Sequence, residues 1–448
     1  MPGTEKRFSI FTLGCKVNSF ESEWIAQQLA VQHHRRVDAN ETADLCLINT
    51  CTVTAEADRQ ARQLVRRAVR RNPAAHIVVT GCYAQIDAAA CAAIPGVDLV
   101  VGNDRKLDIP KLLQRLYDGD RDLPPVMVGE MDREISLPSQ LLNAFDGRTR
   151  AFVQVQQGCD QGCTFCIIHK ARGPSRSFPA DRIHRQVRQL VMNGFREVVV
   201  CGVDVGSYGR DLPEPDGDLA ALLTRLAAIG GDFRLRLSSI DPVHITDSLI
   251  DLIASESVIC PQLHLSMQSG STLILKRMKR RATREILYER IEKLRRAVPH
   301  IALSADILVG FPTETEEHFG HTLDAVEDLE IAWPHVFAYS PRRGTPAANI
   351  PSQVPPDRRK QRAARVRERG EAVWKKVAER RLGARLKVLV EGRDHLPDGT
   401  AFGRAADYFP VIFQTRPRGP GQSPQSGDWA EVEVSAVGGQ VLIARQLG

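Results

Sequence analysis

The opening 120 residues alternate between short apolar runs and longer stretches with helical spacing. Strand-like runs fall at Arg7–Leu13, Asp44–Asn49, His76–Gly81 and Asp98–Val101, with helical patterns at 18–31, 54–71 and 84–93 between them. Strands that alternate with helices predict βαβ units and a parallel sheet. In the second helix Ala57, Ala61, Leu64, Val65 and Ala68 mark an apolar face. Arg59, Arg62, Arg66 and Arg70 mark a basic one.

Residues 118–150 lack periodicity and read as a linker, after which alternation resumes. Strands are predicted at Phe152–Gln156, Glu197–Cys201, Arg234–Ser238, Gln262–Ser266, Leu303–Leu308 and His335–Tyr339, with helices such as 181–193, 283–297 and 314–329 between them. Thr313 and Glu316 have the spacing of a capping box where the last of these helices should start. Six β/α units predict a partial (β/α)6 parallel barrel, with a doubly wound open sheet as the alternative. A basic helix follows, to about Arg381. Then come short strand-like runs at Lys387–Glu391, Phe402–Arg404, Phe409–Phe413, Ala430–Val434 and Val441–Ala444, separated by turns, the clearest at 416–428. These predict a small all-β barrel. The fold class is therefore α/β with an all-β end, divided as 1–120, a linker at 121–145, 146–380 and 381–448.

Composition narrows the class. The chain has 448 residues, 43% hydrophobic and 25% charged, which suits about three globular domains and excludes a largely disordered chain. The longest apolar runs are strand-length, far short of the ~20 residues of a membrane span. Met1–Arg7 is polar and runs straight into a strand, so no signal peptide is expected and the cytoplasm is the predicted compartment. The formal charge of +6 is concentrated, because residues 358–385 carry twelve Lys or Arg against three Glu. A solvated helix face is the plain reading of such a run, and a polyanion contact needs a second feature beside it.

Ten cysteines in such a chain are not expected to pair as disulfides. Cys159, Cys163 and Cys166 lie within eight residues, after a predicted strand. Structural zinc would want a second close pair, and none is near. Three thiolates in one loop suit three corners of an iron–sulfur cubane, leaving one iron open. The segment GCDQGCTFCII (158–168) resembles the cluster loop of the radical S-adenosylmethionine superfamily. That resemblance implies a [4Fe–4S] cluster on Cys159, Cys163 and Cys166, and S-adenosylmethionine cleaved to a 5′-deoxyadenosyl radical. His169 stands where such loops commonly have Pro, either as a cluster-tuning group or as a tolerated loop residue.

Cys15, Cys51 and Cys82 each follow one of three successive predicted parallel strands, so they should converge in space. The alternative is three buried apolar cysteines. Cys46, Cys91, Cys201 and Cys260 read as ordinary core or loop residues. With LGCKVNSFES, NTCTVTAEADRQ and GCYAQ, the cluster loop and the terminal barrel, nearly the whole chain resembles the radical methylthiotransferases, whose C-terminal TRAM barrels bind RNA. The resemblance implies a second [4Fe–4S] cluster on Cys15, Cys51 and Cys82. It also implies replacement of C–H by C–S–CH3, with two S-adenosylmethionine molecules per turnover. Asp204, Ser238, Gln268 and Asp306 are its candidate S-adenosylmethionine contacts, the alternative for each being a turn or barrel-interior residue. With an RNA-binding barrel beside it, the basic helix gains its second feature. Arg59, Arg62, Arg66, Arg70, Arg365, Lys375 and Arg404, and the run Lys276, Arg277, Lys279, Arg280, Arg281, become candidate RNA contacts.

Within the family, the LGCKVN opening, the NTCTVTAEADRQARQ stretch and ARGPSRS (171–177) resemble the branch acting on N6-threonylcarbamoyladenosine at position 37 of tRNA. The competing branches act on isopentenyladenosine in tRNA and on an aspartate of ribosomal protein S12. Implied partners are tRNA and an electron donor such as flavodoxin or ferredoxin, with no membrane and a monomeric state. A non-catalytic iron–sulfur RNA-binding protein is the alternative from another class, and it would not need cysteine sites that leave a metal open.

Overall fold

The computed structural model describes residues 5–131, 141–213, 217–392, 396–397, 399–415 and 424–447. Residues 132–140 of the predicted linker, 416–423 of the predicted turn and the first four residues lie outside the described ones. The chain packs as two compact units that do not follow its linear division. One is drawn from 1–144, 154–178 and 340–348, the other from 145–153, 179–339 and 349–448.

The first unit is built on a six-stranded sheet of β1 (Arg7–Thr12), β2 (Arg35–Arg36), β3 (Leu45–Thr50), β4 (His76–Gly81), β5 (Leu99–Val101) and β6 (Val126–Met127). Its order is β2-β1-β3-β4-β5-β6, and every pairing is parallel. β3 is buried from end to end, as a near-continuous apolar run covered on both faces should be. The edge strands β2 and β6 are two residues each, too short to leave a pattern in the sequence. Helix Ala55–Arg71 starts at Thr54, whose side chain accepts from the Ala57 amide, and it buries Ala61, Val65 and Ala68. The helix predicted at 84–93 is two short ones, Cys82–Ile86 and Ala88–Ala92, broken at Asp87, which caps the second.

After β7 (Arg150–Gln154), the strands β8 (Gln156–Gln157) and β9 (Arg176–Ser177) pair antiparallel and clip together the two ends of the loop that carries Cys159, Cys163 and Cys166. In the second unit β7 neighbours β10 (Glu197–Cys201), and β10 neighbours β11 (Arg234–Leu237). Ser238 interrupts the strand. β12 (Ser239–Ile240) then leads through β13 (Gln262–Gln268) and β14 (Ala302–Val309) to β15 (Ile331–Ala338). The described register pairs are all parallel. Six β/α steps in sequential order thus form an open partial barrel rather than a doubly wound sheet.

Two local expectations are corrected. Helix Glu316–Asp328 is capped by Thr315, with His318 completing the reciprocal box, not by Thr313 and Glu316. Thr313 instead sits at φ 72° and accepts a hydrogen bond from Arg277 at 2.6 Å. The basic segment is also less available than its charge suggests. Helix Pro356–Glu379 buries Ala363, Val366, Val373, Trp374 and Val377. Its Arg362 and Arg365 pair with Glu314 and Glu316, Arg369 with Glu327, and Lys376 with Glu330. Just beyond it, Arg380 also pairs with Glu330, and Arg381 with Asp407.

The C-terminal strands β16 (Arg385–Gly392), β17 (Thr400–Ala405), β18 (Pro410–Gln414), β19 (Trp429–Gly438) and β20 (Val441–Gln446) close into a barrel of order β16-β17-β18-β20-β19. Among the described residues, no helix is long and apolar enough to cross a membrane.

Candidate functional site

Both cysteine triads lie in the first unit. Cys51 directly follows β3, Cys82 directly follows β4, and Cys15 comes three residues after β1, so the parallel sheet carries all three to one edge. The packing there is tight. Gly14 has φ 104°, and a Cβ on it would lie 3.1 Å from the Cys51 sulfur and 2.9 Å from its Cβ. Burial, then repulsion from Cys82 and in smaller part from Cys15, pushes the Cys51 thiol up to about 12. Sulfurs that crowd one another in this way ionise together only when a cation compensates them.

The loop triad is held differently. Gly158 has φ 75°, and a Cβ there would meet the Pro174 carbonyl oxygen at 1.9 Å, so the loop closes only on glycine. The Cys159 amide donates to the Gly173 carbonyl at 3.0 Å, the Ser175 amide donates to Asp160 at 3.0 Å, and the Ala347 amide donates to the Thr164 carbonyl at 2.9 Å. Main-chain N–H groups of Gln161 and Ile168 donate to the sulfurs of Cys159 and Cys166, each at 3.4 Å. Such donors stabilise thiolate ligands of iron–sulfur clusters. Neither triad belongs to a set of ligating atoms within 4.8 Å of one another, the crowding a single ion would impose. In the loop triad, three thiolates with amide donors on two of the sulfurs fit a polynuclear cluster. Cys46, Cys91, Cys201 and Cys260 are buried in the core, as expected.

Beside Cys82 stands Arg172, six residues after Cys166 in the chain and 1% exposed. Its Nε donates to the Cys82 sulfur at 3.2 Å. Its two Nη atoms donate to both Glu21 oxygens, to Asn18 Oδ1 and to Gln157 Oε1. Lys106, also buried, donates to Glu21 at 2.7 Å and to Asn49 at 3.3 Å. Burial pushes Glu21 up, but Arg172 and Lys106 outweigh it and hold the carboxyl at about 2. Asn103 reaches the Cys82 sulfur at 3.7 Å and clamps the Ala171 carbonyl at 2.7 Å. Sequence reasoning missed Arg172, Glu21, Asn18, Asn103 and Lys106 as site residues. The available signal was that Asn18 and Glu21, three apart on one helix face, sit inside the LGCKVNSFES motif.

In the second unit Asp204 and Ser238 follow the carboxyl ends of β10 and β11, and Gln268 ends β13, at the rim where parallel barrels build sites. Asp204 accepts from Ser207 at 2.6 Å and from Arg281 at 3.1 Å. Ser238 is buried, and its hydroxyl has no hydrogen-bond partner among the described residues. Gln268 takes φ 66° at a register shift. Asp306 differs, lying within β14 rather than at its end. Its carboxylate faces His264 Nε2 at 3.1 Å and His335 Nδ1 at 3.8 Å. Arg236 donates to Gln262 Oε1, Gln262 Nε2 donates to Ser304, and the Ser304 hydroxyl lies 2.8 Å from His264 Nδ1.

Of the candidate RNA contacts, Arg66 and Arg70 are exposed on helix Ala55–Arg71, Arg59 pairs with Glu56, and Arg62 donates to the Tyr83 hydroxyl. Lys375 is exposed without an ion pair among the described residues, whereas Arg365 pairs with Glu316. Arg404 packs on Tyr408 and Glu391, away from the solvent-facing set.

Comparison with known proteins gives three sequence profiles. The uncharacterized protein family UPF0004 matches residues 7–102, the radical SAM superfamily 153–326 and the TRAM domain 379–447. The chain is 41% identical over 389 residues to the threonylcarbamoyladenosine tRNA methylthiotransferase MtaB of Rickettsia prowazekii (strain Madrid E), covering 87% of this chain and 88% of that one. It is 35% identical over 462 residues to tRNA-2-methylthio-N(6)-dimethylallyladenosine synthase 1 of Mycobacterium marinum (strain ATCC BAA-535 / M), covering 98% and 86%. Among solved structures, the radical S-adenosylmethionine methyltransferase TsrM from Kitasatospora setae, with cobalamin and a [4Fe-4S] cluster bound, shares the fold. The TM-score is 0.57 at 14% identity, over 77% of each chain.

Proposed function

This chain belongs to the tRNA methylthiotransferase family of radical S-adenosylmethionine enzymes, and from that premise we propose that it converts N6-threonylcarbamoyladenosine at position 37 of tRNA to its 2-methylthio derivative. The observation that carries the reading is the pair of cysteine triads in one compact unit, with Arg172, from the segment that leaves the second triad's loop, bonded to the Cys82 sulfur of the first. Cys159, Cys163 and Cys166 would hold one [4Fe–4S] cluster and Cys15, Cys51 and Cys82 a second, supplying reductive S-adenosylmethionine cleavage and the sulfur for insertion, with two S-adenosylmethionine molecules consumed per turnover.

The chain's own residues have separable tasks. Gly158 and the β8–β9 clip fix the loop, and buried Cys163 anchors it away from water. The Ser238 hydroxyl, unpartnered among the described residues, is offered to S-adenosylmethionine, with Asp204 and Gln268 as neighbouring rim contacts. Asp306 holds its place on β14 through His264 and lines the adenine side of that pocket. Arg59, Arg62, Arg66, Arg70, Arg365 and Lys375 offer positive charge to tRNA phosphates, Arg66, Arg70 and Lys375 most directly. We place the enzyme in the cytoplasm as a monomer, with a flavodoxin or ferredoxin as electron donor.

The threonylcarbamoyl substrate is favoured over the dimethylallyl one by the LGCKVN opening and by the higher identity, 41% against 35%. Mass spectrometry of nucleosides from total tRNA, with and without the gene, tests it. Loss of 2-methylthio-N6-threonylcarbamoyladenosine with accumulation of its unmethylthiolated precursor is the expected result. Loss of the 2-methylthio isopentenyl nucleoside instead would move the substrate to that branch. Cys51→Ala should keep S-adenosylmethionine cleavage and stop sulfur insertion; methylthiolated tRNA from that variant would remove Cys51 from the auxiliary set.

A further inference from the structure

Arg172 is an unusual partner for a cysteine sulfur. A guanidinium has five N–H donors and keeps its charge at any physiological pH. Here all five are engaged: one on Cys82 Sγ, one each on Asn18 and Gln157, and two on Glu21. The side chain therefore has no rotational freedom, and the N–H aimed at sulfur is fixed by the other four. Charge is also unevenly matched. Two cationic side chains, Arg172 and Lys106, share the single carboxylate of Glu21, and the other acceptors on Arg172 are the two amide oxygens of Asn18 and Gln157 and the Cys82 sulfur. Asn103 adds a second, weaker donor to the same sulfur. The site is short of negative charge at the atom proposed to ligate iron.

We propose that Arg172 is a positioning residue that sets the reduction potential of the auxiliary cluster, by fixing a charge-assisted N–H···S bond on Cys82 whose strength Glu21 moderates. The inference rests on the reading that Cys15, Cys51 and Cys82 hold a cluster. A cation bonded to a ligand sulfur stabilises the reduced, more negative state and raises the potential, and outer partners of this kind tune metal sites. Arg172 also belongs to the segment that leaves the radical loop, and Asn103 grips the adjoining Ala171 carbonyl. The partner of the auxiliary sulfur is thus placed by the folding of the other triad's loop.

The test is a redox titration of the full-length, cluster-loaded protein, followed by electron paramagnetic resonance. A variant with Cys159, Cys163 and Cys166 replaced by Ala identifies the auxiliary signal. Arg172→Met should shift that signal's midpoint to more negative potential with iron content retained, and Arg172→Lys should shift it less. Glu21→Gln, which frees positive charge, should shift it to more positive potential. Opposite signs are the mark of tuning; a merely structural role would move both variants the same way or lose iron in both. Midpoints that stay put in all three variants, with the cluster intact, would overturn the inference. If the unaltered protein binds only about four iron per chain instead of about eight, the two-cluster reading fails instead.

Discussion

Two buried charge clusters invite comparison. In the first unit Glu21 lies between Arg172 and Lys106. In the second, Glu197 at the start of β10 lies against Arg234 at 2.6 Å and Arg236 at 2.7 Å, with Arg150 at 3.8 Å. Each has one buried carboxylate and surplus cations. They differ in where the surplus goes. Around Glu197, Arg234 donates to the Arg404 carbonyl, and Arg236 to the carbonyls of Ala405 and Ala406. Arg150 pairs with Glu391 at 3.1 Å. The rings of Trp429 and Tyr408 lie within 5.0 Å of the Arg234 and Arg236 guanidiniums. That cluster is closed, and its role is to join two barrels. Around Glu21 the surplus ends on a sulfur. The same inventory of charges is structural where its last acceptor is main chain and, on our proposal, tunes a cluster where its last acceptor is the Cys82 sulfur.

Changes at the closed cluster should give the largest loss of stability. Arg236→Met leaves Glu197 short of a partner and should cost about 3–5 kcal/mol, read by denaturant unfolding, while leaving the auxiliary midpoint potential unchanged. A shifted potential would show that the clusters do not divide as described. Acid should act on both clusters. Burial pushes Glu197 up, but Arg236, Arg234 and Arg150 outweigh it and hold it far below the usual carboxylate range; Glu21 is held at about 2. Carboxyls with folded values below the ordinary ~4.3 contribute fully above that pH and lose the contribution as pH falls through the folded value. Stability should therefore decline below about pH 4.3, with the Glu21 share gone near pH 2 and the Glu197 share persisting lower. Glu21→Gln should flatten only the upper part of that decline in a pH series of unfolding midpoints. The smallest effect is expected at an exposed pair. Arg369→Ala, removing the contact with Glu327, should cost only about 0.2–1 kcal/mol by the same unfolding assay; a loss comparable to that of Arg236→Met would mean that burial is not what separates these sites.

Much of this was legible along the chain. The strand–helix alternation carried the parallel sheet, the partial barrel and the small terminal barrel, because each strand is bounded by turn residues and keeps its own period. The cysteines were legible because each follows a strand that the pattern had already placed. Arg172 was not, since its partners Glu21 and Asn18 lie 151 and 154 residues away and meet it only when the sheet has formed. The helix cap was misassigned because His318, which fills the third position, is not one of the residues the box motif names. The basic run was legible as charge but not as surface. Its pairing carboxylates sit on helix Glu316–Asp328 or just after it, 42 to 50 residues earlier for Arg369, Arg365 and Arg380.

The three carbonyls that close the Glu197 cluster bear on how modular the enzyme is. The carbonyls of residues 404–406 accept from Arg234 and Arg236 on β11 of the partial barrel, so the TRAM barrel is not an appendage that can be cut away. Cutting it off would take the main-chain acceptors from Arg234 and Arg236, leaving them Glu197 and Gln262, and would remove Glu391 from Arg150. A truncated chain would then lose tRNA affinity and scaffold integrity in one stroke. The RNA-binding role proposed for that domain is better dissected by single substitutions on its outer face than by deletion.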